Sequence, residues 1–395
     1  MSAVITLAET RTPAVRPVVL LYGLLAGLGA CYFAGYLSIT LQRDAAFPFG
    51  DFFALWSYAQ IGASHPIASL YDPATLHAAQ VALGMDPADQ NPFPYPPTGL
   101  MVLLPLAPLS YTAALAAWLG VTFGLYAAAS FGWRRRALVP ALIVALAPTT
   151  AITVVAGQNG FLSAALLVGG LRLADRRPAL AGVLLGLLTY KPQLGILAPV
   201  GLIAARNWRC VAWTCATIAL LFVATSALMG PASWLDWVES LAGYQALFDQ
   251  TMHANRLMPT ILADLQWLGA PPAIAQAIQG VFALAAAVAV WVCWRHGPQD
   301  TAIAVLLIAT CLATPHAFVY DLPLLTAAVA LLVSQRLNEH RAFAPLELIV
   351  LLLAVIFPAI MAGAQQHLPL GGVALVLFLT LAVRNHTTPS ARVQA

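Results

Sequence analysis

From Val18 to Val383 one apolar stretch follows another, with only short polar turns between most of them. The runs lie at roughly 18–41, 98–108, 110–132, 137–156, 160–174, 179–190, 193–205, 208–229, 271–294, 299–314, 318–334, 343–363 and 370–383. A bilayer core about 30 Å thick takes about 20 apolar residues per helix, so several runs are long enough to span it and others fall short. A soluble fold has no interior large enough for this chain, in which 61% of 395 residues are apolar and 8% charged. The expectation is an all-α polytopic membrane protein, a single transmembrane domain over 1–395 with polar insertions.

Charge sets the orientation and removes some partners. The net charge is +3 and the arginines are scattered singly or in short clusters, which excludes nucleic acid. The eighteen basic residues divide unevenly between two sets of loops, the sparse set holding only Arg43, Lys191 and Arg256. The positive-inside rule puts the rich loops and both termini in the cytoplasm of an inner (plasma) membrane protein. The polar loops 42–97 and 230–270 then face outward. This count closes at about 12 net crossings plus half-helices, with 98–108 a half-helix dipping in from the outer face. The first run follows Arg11 and Arg16 and is too long for a signal-peptide core, so it reads as an uncleaved span. Cys31, Cys210, Cys215, Cys293 and Cys311 all sit in apolar segments, at spacings that fit neither a zinc site nor a disulfide framework.

Runs 179–190 and 193–205 are short and meet at Thr189-Tyr190-Lys191-Pro192-Gln193, which sinks that polar vertex below the outer surface. The turns Gly157-Gln158-Asn159-Gly160 and Thr314-Pro315-His316, the latter near Tyr320-Asp321, also end shortish helix pairs on the outer side. Together they suggest a polar cavity opening outward. Charge at membrane depth costs several kcal/mol unless it faces water or a partner, so Lys191, the only lysine, and Asp321 are functional candidates. The plainer alternative is that Lys191 snorkels and pairs with a carboxylate for packing. For His316 it is a capping or packing role.

The first outer loop contains Gly50-Asp51-Phe52-Phe53, Trp56 and Tyr58, then Leu70-Tyr71-Asp72-Pro73, then Asn91-Pro92-Phe93-Pro94-Tyr95-Pro96-Pro97. The aromatic stretch after Asp51 predicts a short interfacial helix, with Phe52, Phe53, Trp56 and Tyr58 as anchors. Asp51 is either a helix N-cap or a carboxylate held at the membrane edge for chemistry. Asp72 before Pro73 predicts the N-cap of a helix over 73–83.

The ordered series Gly50-Asp51-Phe52 with Trp56, Leu70-Tyr71-Asp72, Tyr95-Pro96-Pro97, Gly157-Gln158-Asn159, Tyr190-Lys191-Pro192-Gln193 and Thr314-Pro315-His316 resembles glycosyltransferase family 87. That family includes polyprenyl-phosphate-mannose-dependent α-mannosyltransferases of bacterial envelopes. The resemblance implies a GT-C fold, a polyprenyl-phosphate-linked sugar donor, a lipid or glycan acceptor, and no cofactor or metal. It implies a catalytic aspartate in the first outer loop, and Asp51 is the matching position. On that reading Asp51 takes the proton of the acceptor hydroxyl as a general base. Lys191, with Arg256 and His316, would meet the donor phosphate. Gln158, Asn159, Gln193, Tyr95, Tyr320 and Asp321 would contact substrate. Trp234, Trp237, Tyr244, His253 and Arg256 of the second outer loop would shape the acceptor side. The competing class is a transporter or lipid flippase, which broken helices and a charge at membrane depth also fit.

Overall fold

The computed structural model describes residues 50–131, 138–250, 256–339, 343–364 and 368–387, with a few positions between 23 and 38. Most of the first apolar run, both termini, Arg43 and His253 lie outside the described residues. In chain order the first outer loop carries α1 (Gly50–Ser64), α2 (Ala68–Tyr71) and α3 (Pro73–Ala82), and α4 (Pro97–Leu103) leads to α5 (Tyr111–Phe131). Then follow α6 (Leu138–Leu146), α7 (Pro148–Ala156), α8 (Gly160–Leu173), α9 (Pro178–Leu187), α10 (Ala198–Ala204) and α11 (Trp208–Met229). The second outer loop contributes α12 (Ala232–Gln250) and α13 (Ile261–Trp267), and the chain continues through α14 (Pro272–His296), α15 (Gln299–Ala313), α16 (Pro323–Asn338), α17 (Pro345–Gly363) and α18 (Gly371–Thr387). No strand occurs among the described residues.

Among the described residues, α5, α11, α14 and α17 are long and apolar enough to cross a bilayer. Two shorter helices form the centre. Every residue of α15 from Thr301 to Ala313 is buried, as is every residue of α16 from Pro323 to Val333. A helix that is apolar on all sides is stable only when surrounded, and α8, α14 and α18 pack around α15 while α6, α8 and α17 pack around α16. At the periphery α11 and α14 turn large side chains outward, among them Leu220, Leu228, Val281 and Leu284, as lipid-facing helices do.

Short elements surround this centre. The 15 residues of α15 rise only about 22 Å, less than a bilayer core. Run 98–108 forms the seven-residue α4 and a 3₁₀ turn over Leu104–Leu106, too short to cross. Runs 179–190 and 193–205 each end in a 3₁₀ turn on either side of Lys191.

One apolar run is divided and one expectation is corrected. Run 137–156 forms two helices, because Ala147 is extended at ψ 147° and Pro148 starts a new helix. Proline has no N–H to continue the ladder and biases the residue before it away from helical geometry. The aromatic stretch after Asp51 is helical but not an interfacial anchor. Phe52, Phe53, Leu55 and Tyr58 are buried in a second core with Leu100, Tyr111 and Trp118. Trp56 donates to the Leu109 carbonyl at 3.1 Å and Tyr58 to the Pro92 carbonyl at 2.6 Å, so these polar tips bond protein. Asp72 caps α3 as expected, accepting from the Thr75 amide at 2.9 Å.

Candidate active site

Three turns distant in sequence converge at one end of the central helices. The first follows α7, where Gly157 takes φ +64° in the left-handed region. That conformation suits glycine, and so does the space, since a Cβ here would lie 2.5 Å from the Phe52 Cβ. The N-terminus of α1 is thereby seated against this turn. Asn159 precedes α8 without spending its side chain on a cap. Gly160 abuts the third turn so closely that a Cβ would stand 1.7 Å from the Tyr320 carbonyl oxygen.

Lys191 occupies the joint between two 3₁₀ turns and projects into this convergence. Its Nζ donates to Asp321 Oδ1 at 2.5 Å and to Asn159 Oδ1 at 3.1 Å, and it lies 5.1 Å from the centroid of the Tyr320 ring. The other Asp321 oxygen accepts from the Phe318 amide at 3.1 Å. Asn159 in turn donates from Nδ2 to the Tyr95 hydroxyl at 2.7 Å, and Tyr95 stacks on Tyr190. Tyr190 and Ser163 share a hydrogen bond of 2.5 Å. Thr314 links the second and third turns through the Gln193 carbonyl at 3.0 Å.

Asp321, Asn159 and Lys191 are 0%, 2% and 5% exposed, so the vertex is a filled polar cluster and not an open cavity. Desolvation explains the packing. Leaving either charge of a buried pair without its partner is strongly unfavourable, and the cluster gives each ion additional hydrogen bonds. An ammonium carries three donors, and Asp321 and Asn159 take two of them.

Asp51 stands in the first turn of α1, next to the Phe52 that meets Gly157. It is exposed to solvent, yet protein surrounds it closely enough that desolvation pushes its pKa up from 3.8 to about 6. A helix N-terminus favours the anion, but here desolvation prevails. Asp51 is close enough to the Tyr111 and Tyr320 hydroxyls for their charges to interact. A carboxyl poised near neutral pH, on a helix end that packs against the first turn, is suited to proton abstraction.

The remaining sequence candidates are spread around this cluster. Gln158, Gln193, His316 and Tyr320 are half-buried, and Gln158 Oε1 is enclosed without a hydrogen-bond partner among the described residues. Arg256 donates to the Ala364 carbonyl at 3.3 Å and adjoins Leu257, whose carbonyl receives the Val319 amide at 2.9 Å. The second outer loop meets the first where Trp237 Nε1 donates to the Pro94 carbonyl at 3.2 Å.

Sequence reasoning missed the supports beneath the turns. Thr149 and Thr326 share a buried 2.7 Å hydrogen bond, and Thr153 donates to the Thr149 carbonyl at 2.8 Å and the Tyr320 carbonyl at 3.3 Å. The threonines at 149 and 153 share one face of α7, a spacing that was available as a signal. His77 and Gln80 on α3 were missed as well, though they lie three residues apart, another spacing that shares a helix face.

No curated protein and no solved structure matches the chain. The family model of glycosyltransferase family 87 matches residues 93–315, which takes in Tyr95, Asn159 and Lys191 and leaves Asp51 and Asp321 outside. Since that match covers more than half of the chain and contains two of the three converging turns, this helical membrane protein belongs to glycosyltransferase family 87.

Proposed function

We propose that this glycosyltransferase has a GT-C fold and transfers a hexose, mannose by the family resemblance, from a polyprenyl phosphate to an envelope lipid or glycan on the extracytoplasmic face. The crossings number about twelve, with both termini cytoplasmic in an inner membrane. The observation that carries the reading is the carboxyl of Asp51, with its pKa raised to about 6, at the helix end that packs on Gly157 beside the Lys191–Asn159–Asp321 cluster.

In the reaction the acceptor oxygen attacks the anomeric carbon of the donor sugar as the bond from that carbon to the phosphate oxygen breaks. Asp51 receives the acceptor's proton, so its ionised form is the active one. The phosphate leaves with the bonding electron pair and gains negative charge. The third N–H of Lys191 is directed to a phosphate oxygen, with Arg256 and His316 as further phosphate contacts. Gln158, Gln193, Tyr95 and Tyr320 bind sugar hydroxyls. Asp321 and Asn159 act on the phosphate through Lys191, which they hold in place. Membership of a glycosyltransferase family disfavours the transporter alternative.

The test is transfer by the purified chain in nanodiscs, with radiolabelled polyprenyl-phosphate-mannose and a lipid extract of the native envelope. Label should pass to a new product with wild-type protein and not with Asp51→Asn. Transfer at the wild-type rate by a well-expressed Asp51→Asn protein would refute the mechanism.

A further inference from the structure

A cavity of about 190 Å³ lies between the two outer loops, apart from the Lys191 cluster. One wall is α3 and the segment 90–93, and the other is α12. The aromatic lining is Tyr71, Phe93 and Tyr244, and the polar lining includes His77, Gln80 and Asn91. Gln80 is 1% exposed and its Nε2 is used, donating to Ser57 Oγ at 3.1 Å and the Asn91 carbonyl at 3.0 Å. Its Oε1 and the Nδ1 of His77 are enclosed with no hydrogen-bond partner among the described residues. Unpaired polar atoms in such a place cost free energy until a ligand satisfies them.

The chemistry of those atoms selects the ligand. An amide oxygen only accepts, so the occupant must bring a donor. A hydroxyl does so, whereas a phosphate dianion and a hydrocarbon chain do not. Aromatic faces beside such a group suit the C–H face of a sugar ring, with hydroxyls bonding at its edge. The lining residues include no Lys, Arg, Asp or Glu, which fits an uncharged ligand.

Position relates the cavity to the proposed reaction. Ser57, the partner of Gln80, lies six residues beyond Asp51 on α1, a rise of about 9 Å. The Tyr71 hydroxyl donates to the Tyr95 carbonyl at 3.1 Å, and Tyr95 accepts from Asn159. The cavity is thus tied by direct hydrogen bonds both to the helix that carries Asp51 and to the polar cluster.

We propose that this cavity is a subsite for one uncharged pyranose unit of a glycan-bearing acceptor, held by Gln80 and His77 against Tyr71, Phe93 and Tyr244. It rests on the transferase reading above, which it extends by giving the acceptor a sugar remote from the reacting hydroxyl.

The experiment uses the full chain in nanodiscs with methyl α-D-mannopyranoside and methyl α-D-glucopyranoside as probes, read by saturation-transfer NMR, with undecaprenyl phosphate as a lipid control. Two variants test the site. Gly243→Trp fills the cavity from α12, where a Cβ meets no atom within 4 Å, and His77→Ala removes one polar contact. The expected result is glycoside binding by wild type and by Asp51→Asn, about tenfold weaker in His77→Ala and absent in Gly243→Trp. Equal glycoside binding by wild type and Gly243→Trp overturns the subsite, as does loss of undecaprenyl phosphate binding in its place. Label transfer separates the two readings. Wild-type transfer to the native acceptor by Gly243→Trp sinks the subsite and leaves the transferase standing. Glycoside binding lost in Gly243→Trp, together with no transfer by wild type, upholds the sugar site and sinks the transferase.

Discussion

At Asp51 the helix N-terminus favours a charge that the surrounding protein disfavours, and the balance leaves a carboxyl that titrates near pH 6. As a base it must be ionised, so kcat/KM should rise about tenfold per unit below pH 6 and level off above it. Replacing it with asparagine should lower transfer by about 10²–10⁴-fold at the plateau. Stability follows the opposite course. The folded carboxyl keeps its proton up to about 6 and the unfolded one releases it at 3.8, so the Asp51 contribution falls as pH rises through that window. Melting curves across it should show a decline in wild type that Asp51→Asn lacks. Lys191 and Asp321 behave differently, because each neutralises the other at 2.5 Å inside the protein. Asp321→Asn should cost about 3–5 kcal/mol by stranding the ammonium, and Lys191→Met with Asp321→Leu should recover most of it. A denaturation series of both single variants and the double variant checks this, and a loss in the double variant equal to the sum of the single losses would show that the pair is not coupled.

The helices deliver these groups through their ends. Proline opens α7 at Pro148, glycine closes it at Gly157, and α8 begins at Gly160, directly after Asn159, with its backbone against Tyr320. Gly160→Ala should therefore push the first and third turns apart. Overpacking of this kind costs about 1–3 kcal/mol, and the separation of Asn159 from Asp321 should lower transfer more than it lowers Tm. Gly243→Ala, in an exposed helix position with open space around it, should instead stabilise by about 0.5–1 kcal/mol and provides the control. Local rules recovered part of this organisation. The Asp72 cap, the short segments on either side of Lys191 and the shortness of 98–108 are all legible from proline, glycine and run length. The burial of Phe52, Phe53 and Tyr58 was not, because an aromatic-rich amphipathic stretch fits a lipid interface and a protein core equally well. What decides between them is the presence of Leu100, Tyr111 and Trp118 opposite α1.

Across the whole molecule, apolar helices exposed at the periphery surround the fully buried pair α15 and α16, with the outer loops packed over one end. Sidedness is open to direct measurement in a variant without the exposed Cys31 and Cys215. A cysteine at Asp89 should react with an impermeant maleimide on intact cells, and one at Arg176 only after permeabilisation. The reverse pattern would invert the proposed orientation. Sequence alone determined that the chain is helical and belongs in a membrane, because hydropathy is a local property that any window of residues reveals. It also marked the three polar turns, since polar groups at membrane depth stand out against their apolar surroundings. Only the tertiary structure decided that Lys191 meets Asp321 across 130 residues and Asn159 across 32, or that Gln80 and His77 face Tyr244 from another loop. Those contacts depend on how the helices pack, and packing is set by shape and burial summed over the entire chain, which no single segment carries.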